Sequence, residues 1–162
     1  MAGHKDLHWT KDKTARDLSF EVVWIDVSKL DALWQKDTRY VGRKGKGTEY
    51  RNSEKYEEFG LWLTTYGQDK PIEMPIVGFD DRINGVAFTN GRHRFSWLRD
   101  HNVQHLPVAV HPLSAQYIRE NCGTAVRISL LHSEASVHTN TSTDHPPRPL
   151  GSHNTFSKAE FS

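Results

Sequence analysis

The chain is short of cysteine, of long apolar runs and of net charge, and each shortage narrows what it is. Cys122 is its only cysteine, which excludes an internal disulfide framework and fits a reducing cytoplasm. No apolar run approaches the roughly 20 residues of a membrane span. The N-terminus has no signal-peptide apolar region, so a cytoplasmic protein without membrane insertion is expected. Lys and Arg number 21 against 20 Asp and Glu, a formal charge of +1 with histidine neutral. No global basic field therefore announces a nucleic-acid binder, and local patches must carry any such claim.

Apolar content is also low. Hydrophobic residues make up 36% of the 162, and the mean hydropathy is -0.70. This suits one domain with a real core plus an unfolded part. Residues 1–17 are polar and charged without a sustained period and read as a flexible N-terminal arm, in which Trp9 is the candidate for docking on the core. Residues 18–131 carry the folded domain. Residues 132–162 are Ser, Thr, His, Pro and Asn, with hardly an apolar side chain before Phe156. Such a tail cannot offset its ordering entropy and reads as disordered. No internal repeat is present.

Within the domain, Phe20 to Ile25 is β-branched and aromatic and predicts a strand. Ser28 is placed to cap a short helix with Leu30, Leu33 and Trp34 on one face. Ser53 to Tyr66 predicts a second helix stopped by Gly67, with Tyr56, Phe59, Leu63 and Tyr66 as a core stripe and Trp62 beside it. Pro71 to Val77 leads into a strand, Asn84-Gly85 signals a hairpin turn, and Val86 to Phe88 is the return strand. Ser114 to Asn121 predicts a helix, and Ala125 to Leu131 a final extended segment.

The organising stretch is Phe88 to Val110. A strand end runs into Thr89-Asn90-Gly91, then Arg92-His93-Arg94 opens a helix with Phe95 and Leu98 inward, and Leu106 to Val110 is another strand. Two arginines thus occupy a helix N-terminus, where positive charge costs roughly 0.3–1 kcal/mol each. A bound anion explains the choice, held by backbone N–H groups, the helix dipole and the guanidinium forks. The alternative is that the arginines are solvated or salt-bridged and Gly91 only makes the turn. The coincidence of glycine, dipole and basic fork favours the anion site.

Arg39 to Arg51 is the other notable run, with three glycines, five basic residues and two tyrosines. Gly42 to Thr48 fails the G-x-x-x-x-G-K-S/T spacing of a P-loop. It reads either as a solvated loop or as a basic flap that closes over a phosphate or grips a nucleic-acid backbone. Ten histidines raise the question of a metal. His101 and His105 are four apart, but Asn102 breaks the helix between them, and there is no H-E-x-x-H or cysteine set, so no structural metal site is expected.

Three stretches in order resemble the ParB/sulfiredoxin fold: Val23 to Leu30, then Leu63 to Gly67 with Pro71-Ile72, then Gly91-Arg-His-Arg94 with Leu106 to Val110. The resemblance implies an α/β (α+β) domain with a mixed sheet and packed helices. Within that fold, Ile72 to Pro75, Val86 to His101 and Leu106 to Val110 are similar to the plasmid fertility inhibition factors, the oncogenic-suppression type included. This implies a small plasmid-encoded protein that blocks conjugative or T-DNA transfer of another element through a type IV secretion system. The partner that the resemblance implies is a coupling protein or the relaxosome. It also implies ATP hydrolysis and DNA cleavage, activities ascribed to the fold and to a member of the family. Sulfiredoxins carry a catalytic cysteine where this chain has Arg92, so that reductase chemistry is not expected. The residues after the domain are too few and too polar for the helix-turn-helix of a partition protein.

Three functions follow. In the enzymatic one, ATP lays its phosphates on the turn at Thr89, Asn90, Gly91, Arg92 and Arg94, and Lys44 and Lys46 close over them. Mg²⁺ arrives with the nucleotide. Glu73 or His93 orients or deprotonates a water, with Arg92 and Arg94 completing the catalytic set. DNA meets the same arginines through its backbone. In the second, the protein is a non-enzymatic inhibitor that binds the coupling protein or relaxosome. In the third, it is a DNA-binding accessory protein supported by the Arg39 to Arg51 run alone.

Overall fold

The β-branched run that begins at Glu21 forms the edge of a four-stranded mixed sheet. The computed structural model describes residues 3–46, 52–67 and 69–132. Their elements, in chain order, are β1 (His4–Asp6), β2 (Trp9–Thr10), α1 (Lys13–Asp17), β3 (Glu21–Asp26), α2 (Val27–Trp34), a 3₁₀ turn (Arg43–Gly45), α3 (Asn52–Thr65), β4 (Ile72–Glu73), β5 (Ile76–Asp80), β6 (Gly85–Asn90), α4 (Arg92–Asp100), β7 (His105–Val110), α5 (Pro112–Cys122) and β8 (Leu130–His132). Lys5–Leu131 is one compact unit. The tail expected to be disordered lies, apart from His132, outside the described residues.

The main sheet has the order β3-β7-β5-β6. β3 and β7 are antiparallel, with Glu21 opposite Val110 and Asp26 opposite His105. β5 runs parallel to β7 and antiparallel to β6, with Asp80 opposite Gly85. The expected hairpin is present, and Asn84 takes the positive φ its turn requires (+49°). The class is therefore mixed α/β, as expected.

β7 lies inside the sheet, so its alternation feeds two cores. Leu106, Val108 and Val110 join a large cluster with Trp34, Phe88, Phe95, Leu98 and Ile118. Ala109 instead joins Ala15, Phe20, Met74 and Ile76. Trp34 is fully buried, with its ring centroid 4.4 Å from that of Phe88. Burying each such side chain contributes about 1.5–3 kcal/mol, and this aromatic cluster fixes α4 against the end of β6.

Several expectations are corrected. The stretch up to Asp17 is not a loose arm: it carries β2 and α1, and Leu7 and Ala15 are buried; Trp9 packs on both clusters, as expected of it. Elements of two to five residues are too short to show a period. The cap of α2 is Asp26, whose Oδ1 accepts the Lys29 N–H at 3.1 Å. Ser28 lies inside the helix and donates to that same oxygen at 2.7 Å. Tyr66 is 66% exposed because α3 ends one residue earlier, which removes it from the buried face of Tyr56, Phe59 and Leu63. The final strand is only Leu130–His132.

Candidate functional site

β6 reaches α4 through a single residue, Gly91, with φ +86° and ψ 13°. A Cβ here would lie 2.8 Å from Pro75 Cα and 2.8 Å from Arg94 Nη2. Glycine is thus required by both the dihedral and the close approach. The helical ladder begins with Phe95 N–H donating to Gly91 C=O at 2.9 Å, and no side chain caps the N-terminus. Phe95 and Leu98 are fully buried, which holds the helix axis rigidly behind the turn.

This N-terminus opens into a cleft of about 640 Å³, within the range of small-molecule sites. Thr89 to Arg94 form one wall, Pro71 to Glu73 another, and α3 supplies Lys55, Glu58, Phe59 and Trp62. Arg94 Nε donates to the Glu73 carbonyl at 3.1 Å, and its Nη2 is buried with no hydrogen-bond partner among the described residues. Burial pulls the Arg94 pKa below its ordinary value, partly offset by the charges of Glu73 and Asp12. Asn90 Nδ2 donates to Asp12 Oδ2 at 3.0 Å, which ties the N-terminal segment to the turn.

The model of the plasmid fertility inhibition factor family matches residues 22–123, well over half of the chain. The chain belongs to that family. No curated protein matches it. Among solved structures, this fertility inhibition factor is similar to the crystal structure of a gold(I) cyanide derivative of Oncogenic Suppression Activity Protein, itself described as a plasmid fertility inhibition factor. The TM-score is 0.51 at 19% identity, covering 77% of this chain and 65% of that protein. This chain thus spans about two thirds of that neighbour's length, and the likeness speaks for the fold. The matched region, residues 22–123, contains every residue that lines the cleft.

The cleft of this fertility inhibition factor gathers Glu73, Thr89, Asn90, Gly91, Arg92, His93 and Arg94, all picked from sequence. Thr89, Asn90 and Glu73 are exposed; Arg92, His93 and Arg94 are half-buried. Lys44 and Lys46 do not line it. The Lys44 N–H donates to Asp100 Oδ2 at 2.8 Å, at the far end of α4. A nine-residue helix is about 14 Å long, so this part of the basic loop is fastened away from Gly91. Lys46 belongs to the same turn, its carbonyl accepting the Gly42 N–H. Residues 47–51 of the loop lie outside the described residues.

Sequence reasoning missed the contribution of α3. Trp62 was read as core beside the aromatic stripe, yet it is half-buried and lines the cleft. The positions 55, 58, 59 and 62 are one helical face, which was the available signal. It also missed Asp12, whose partner is 78 residues away.

The opposite end of α4 is a polar clamp. Arg99 donates to Asp31 and Asp100, each at 2.9 Å, and to the Val41 carbonyl at 2.9 Å. Tyr56 O–H donates to Asp100 at 2.8 Å. Burial alone would raise the Asp100 pKa, but Arg99, the Lys44 N–H and Tyr56 together hold it below the usual carboxylate value. The same burial and the neighbouring Asp100 push the Tyr56 phenol well above its ordinary range.

Proposed function

We propose that this fertility inhibition factor blocks conjugative or T-DNA transfer of another element through a type IV secretion system. We further propose that it works through a phosphate site at the Gly91 turn, taking ATP with its Mg²⁺ or a DNA backbone. The observation that carries the reading is the cleft itself. One concavity joins an uncapped helix N-terminus, three basic side chains of its first turn and Lys55 from α3. Helix dipole and guanidinium forks are the ordinary means of holding phosphate. The half-buried Trp62 and buried Phe59 give the same cleft an apolar aromatic wall, as a nucleoside needs and a bare anion does not.

For hydrolysis, the water oxygen bonds the terminal phosphorus as the bridging bond to ADP breaks, and the water proton passes to a base. Glu73, exposed at the cleft wall, and His93, half-buried in the first turn of α4, are the candidates. Arg92 and Arg94 stabilise the charge that develops on the phosphoryl oxygens.

The test is calorimetry of Mg·ATP binding to the intact protein and to the Arg92→Ala/Arg94→Ala variant, followed by phosphate release and plasmid-cleavage assays on Glu73→Gln and His93→Ala. Binding lost in a folded variant supports the site. No binding of ATP or DNA by the intact protein sinks it. The reading that remains is then a non-enzymatic contact with a coupling protein or relaxosome. That reading has its own support in Leu61 and Tyr66, 63% and 66% exposed beside the cleft-lining face of α3, and pull-downs with coupling proteins address it.

A further inference from the structure

We infer that Asp12 is a positioning residue for the Gly91 turn, acting through the side chain of Asn90; this rests on the reading of the cleft as a phosphate site. Asn90 is the last residue of β6 and directly precedes Gly91. β6 is an edge strand, and its pairing with β5 shifts register between Ile76 and Val77, opposite this end. The sheet ladder alone therefore specifies the end of β6 weakly.

Asp12 supplies the missing constraint from outside the sheet. It is a buried carboxylate, 8% exposed, and its two oxygens have separate tasks. Oδ1 accepts the Ala15 N–H at 2.8 Å and caps α1. Oδ2 accepts Asn90 Nδ2 at 3.0 Å. A hydrogen bond to a desolvated charged acceptor is among the stronger kind. Its own position is fixed by neighbours. β2 pairs with β4 in parallel, Thr10 beside Glu73, and the Met74 N–H donates to the Thr10 carbonyl at 2.8 Å. The Glu73 backbone carbonyl in turn accepts Arg94 Nε. The residue before Gly91 and the arginine three after it are thus both referred to one N-terminal segment. Asp12 lies outside residues 22–123, the stretch that defines the family match, so the strap is supplied by sequence beyond that stretch.

Asp12→Asn separates the two tasks. Asparagine is a good N-cap, so α1 keeps its cap through the amide oxygen. The amide nitrogen then faces Asn90, which must turn its own amide over to meet it with Oδ1, so the charge-assisted bond is lost and the Asn90 side chain is reoriented. In the full-length protein, Asp12→Asn is expected to stay folded with a slightly lower melting temperature, because the bond it weakens is already present in the unliganded protein, and to bind Mg·ATP more weakly, by up to about tenfold. The ¹⁵N signal of the Asn90 side-chain amide should shift with it. In an Asn90→Ala background the same substitution should no longer weaken binding, because the coupling it acts through is gone and only the loss of a carboxylate charge felt at Arg94, which favours an anion, remains. Wild-type affinity in Asp12→Asn, or an undiminished further loss in the Asn90→Ala background, overturns the inference while leaving the phosphate site standing. Failure of the wild-type protein to bind overturns both.

Discussion

Gly91→Ala isolates what the turn demands. At φ +86° an L-residue carries a left-handed penalty of about 1–2 kcal/mol. The added methyl lands 2.8 Å from Pro75 Cα and 3.0 Å from Pro75 Cβ. Pro75 is buried and its backbone carbonyl accepts the Ala109 N–H at 2.9 Å, so it sits between β4 and the central strand β7 and has little room to give. The third neighbour, Arg94 Nη2 at 2.8 Å, is the end of a flexible side chain and yields more cheaply. Overpacking of this kind costs typically 1–3 kcal/mol. The sum is roughly 2–5 kcal/mol, a large share of the stability of an ordinary domain. Urea unfolding followed by circular dichroism measures it, with a lower midpoint and an unchanged slope expected. A Gly91→Ala protein within about 0.5 kcal/mol of wild type, the scale of a neutral surface change, would refute the reasoning, because neither the strain nor the Pro75 contact would then exist.

Three other perturbations follow from the same structure. Gly60→Ala puts a methyl 2.2 Å from Trp97 Nε1 at the α3–α4 contact, so despite the better helix propensity of alanine a loss of about 1–3 kcal/mol is expected, read by thermal unfolding; a stabilised variant contradicts the packing. The Asp100 carboxyl sits below its ordinary 3.8, so its contribution is complete above that value and is lost as pH falls through the lower folded value. Stability measured downward from pH 4 should therefore fall less steeply in Asp100→Asn than in wild type, and parallel curves would refute the clamp. Cys122 is 1% exposed, and burial pushes its thiol up to about 12. A thiol reagent at pH 8 should label it only as the protein unfolds; rapid labelling in native buffer contradicts its burial.

The strands and helices that read clearly in the sequence are those long enough to show a period. β3, α3, β6, α4 and β7 fall within a residue or two of their expected places, because alternation and a 3.6-residue repeat need several turns or pleats to stand out. The strand–glycine–helix turn was legible for a different reason: Asn90-Gly91 followed by a basic first turn is locally odd, and the structure gives it φ +86° and a cleft. The segment before Asp17 was misread because β2 and α1 are too short for a pattern. Its order comes from Leu7 and Ala15 being buried in two different clusters.

Three separated stretches carried the resemblance from which the fold class and the family followed, and the Gly91 turn with Thr89, Asn90, Arg92, His93 and Arg94 was legible because these residues are close in sequence. Three things were not written locally. The Lys44 N–H joins Asp100 across 56 residues, so this lysine sits at the end of α4 away from the Gly91 turn. The α3 side chains Lys55 and Trp62 enter the cleft because Gly60 lets Trp97 pack against the helix backbone. Asp12 meets Asn90 because β2 pairs with β4. Each depends on how separate elements pack, and a contact between distant segments leaves no period, cap or spacing in the residues on either side of it.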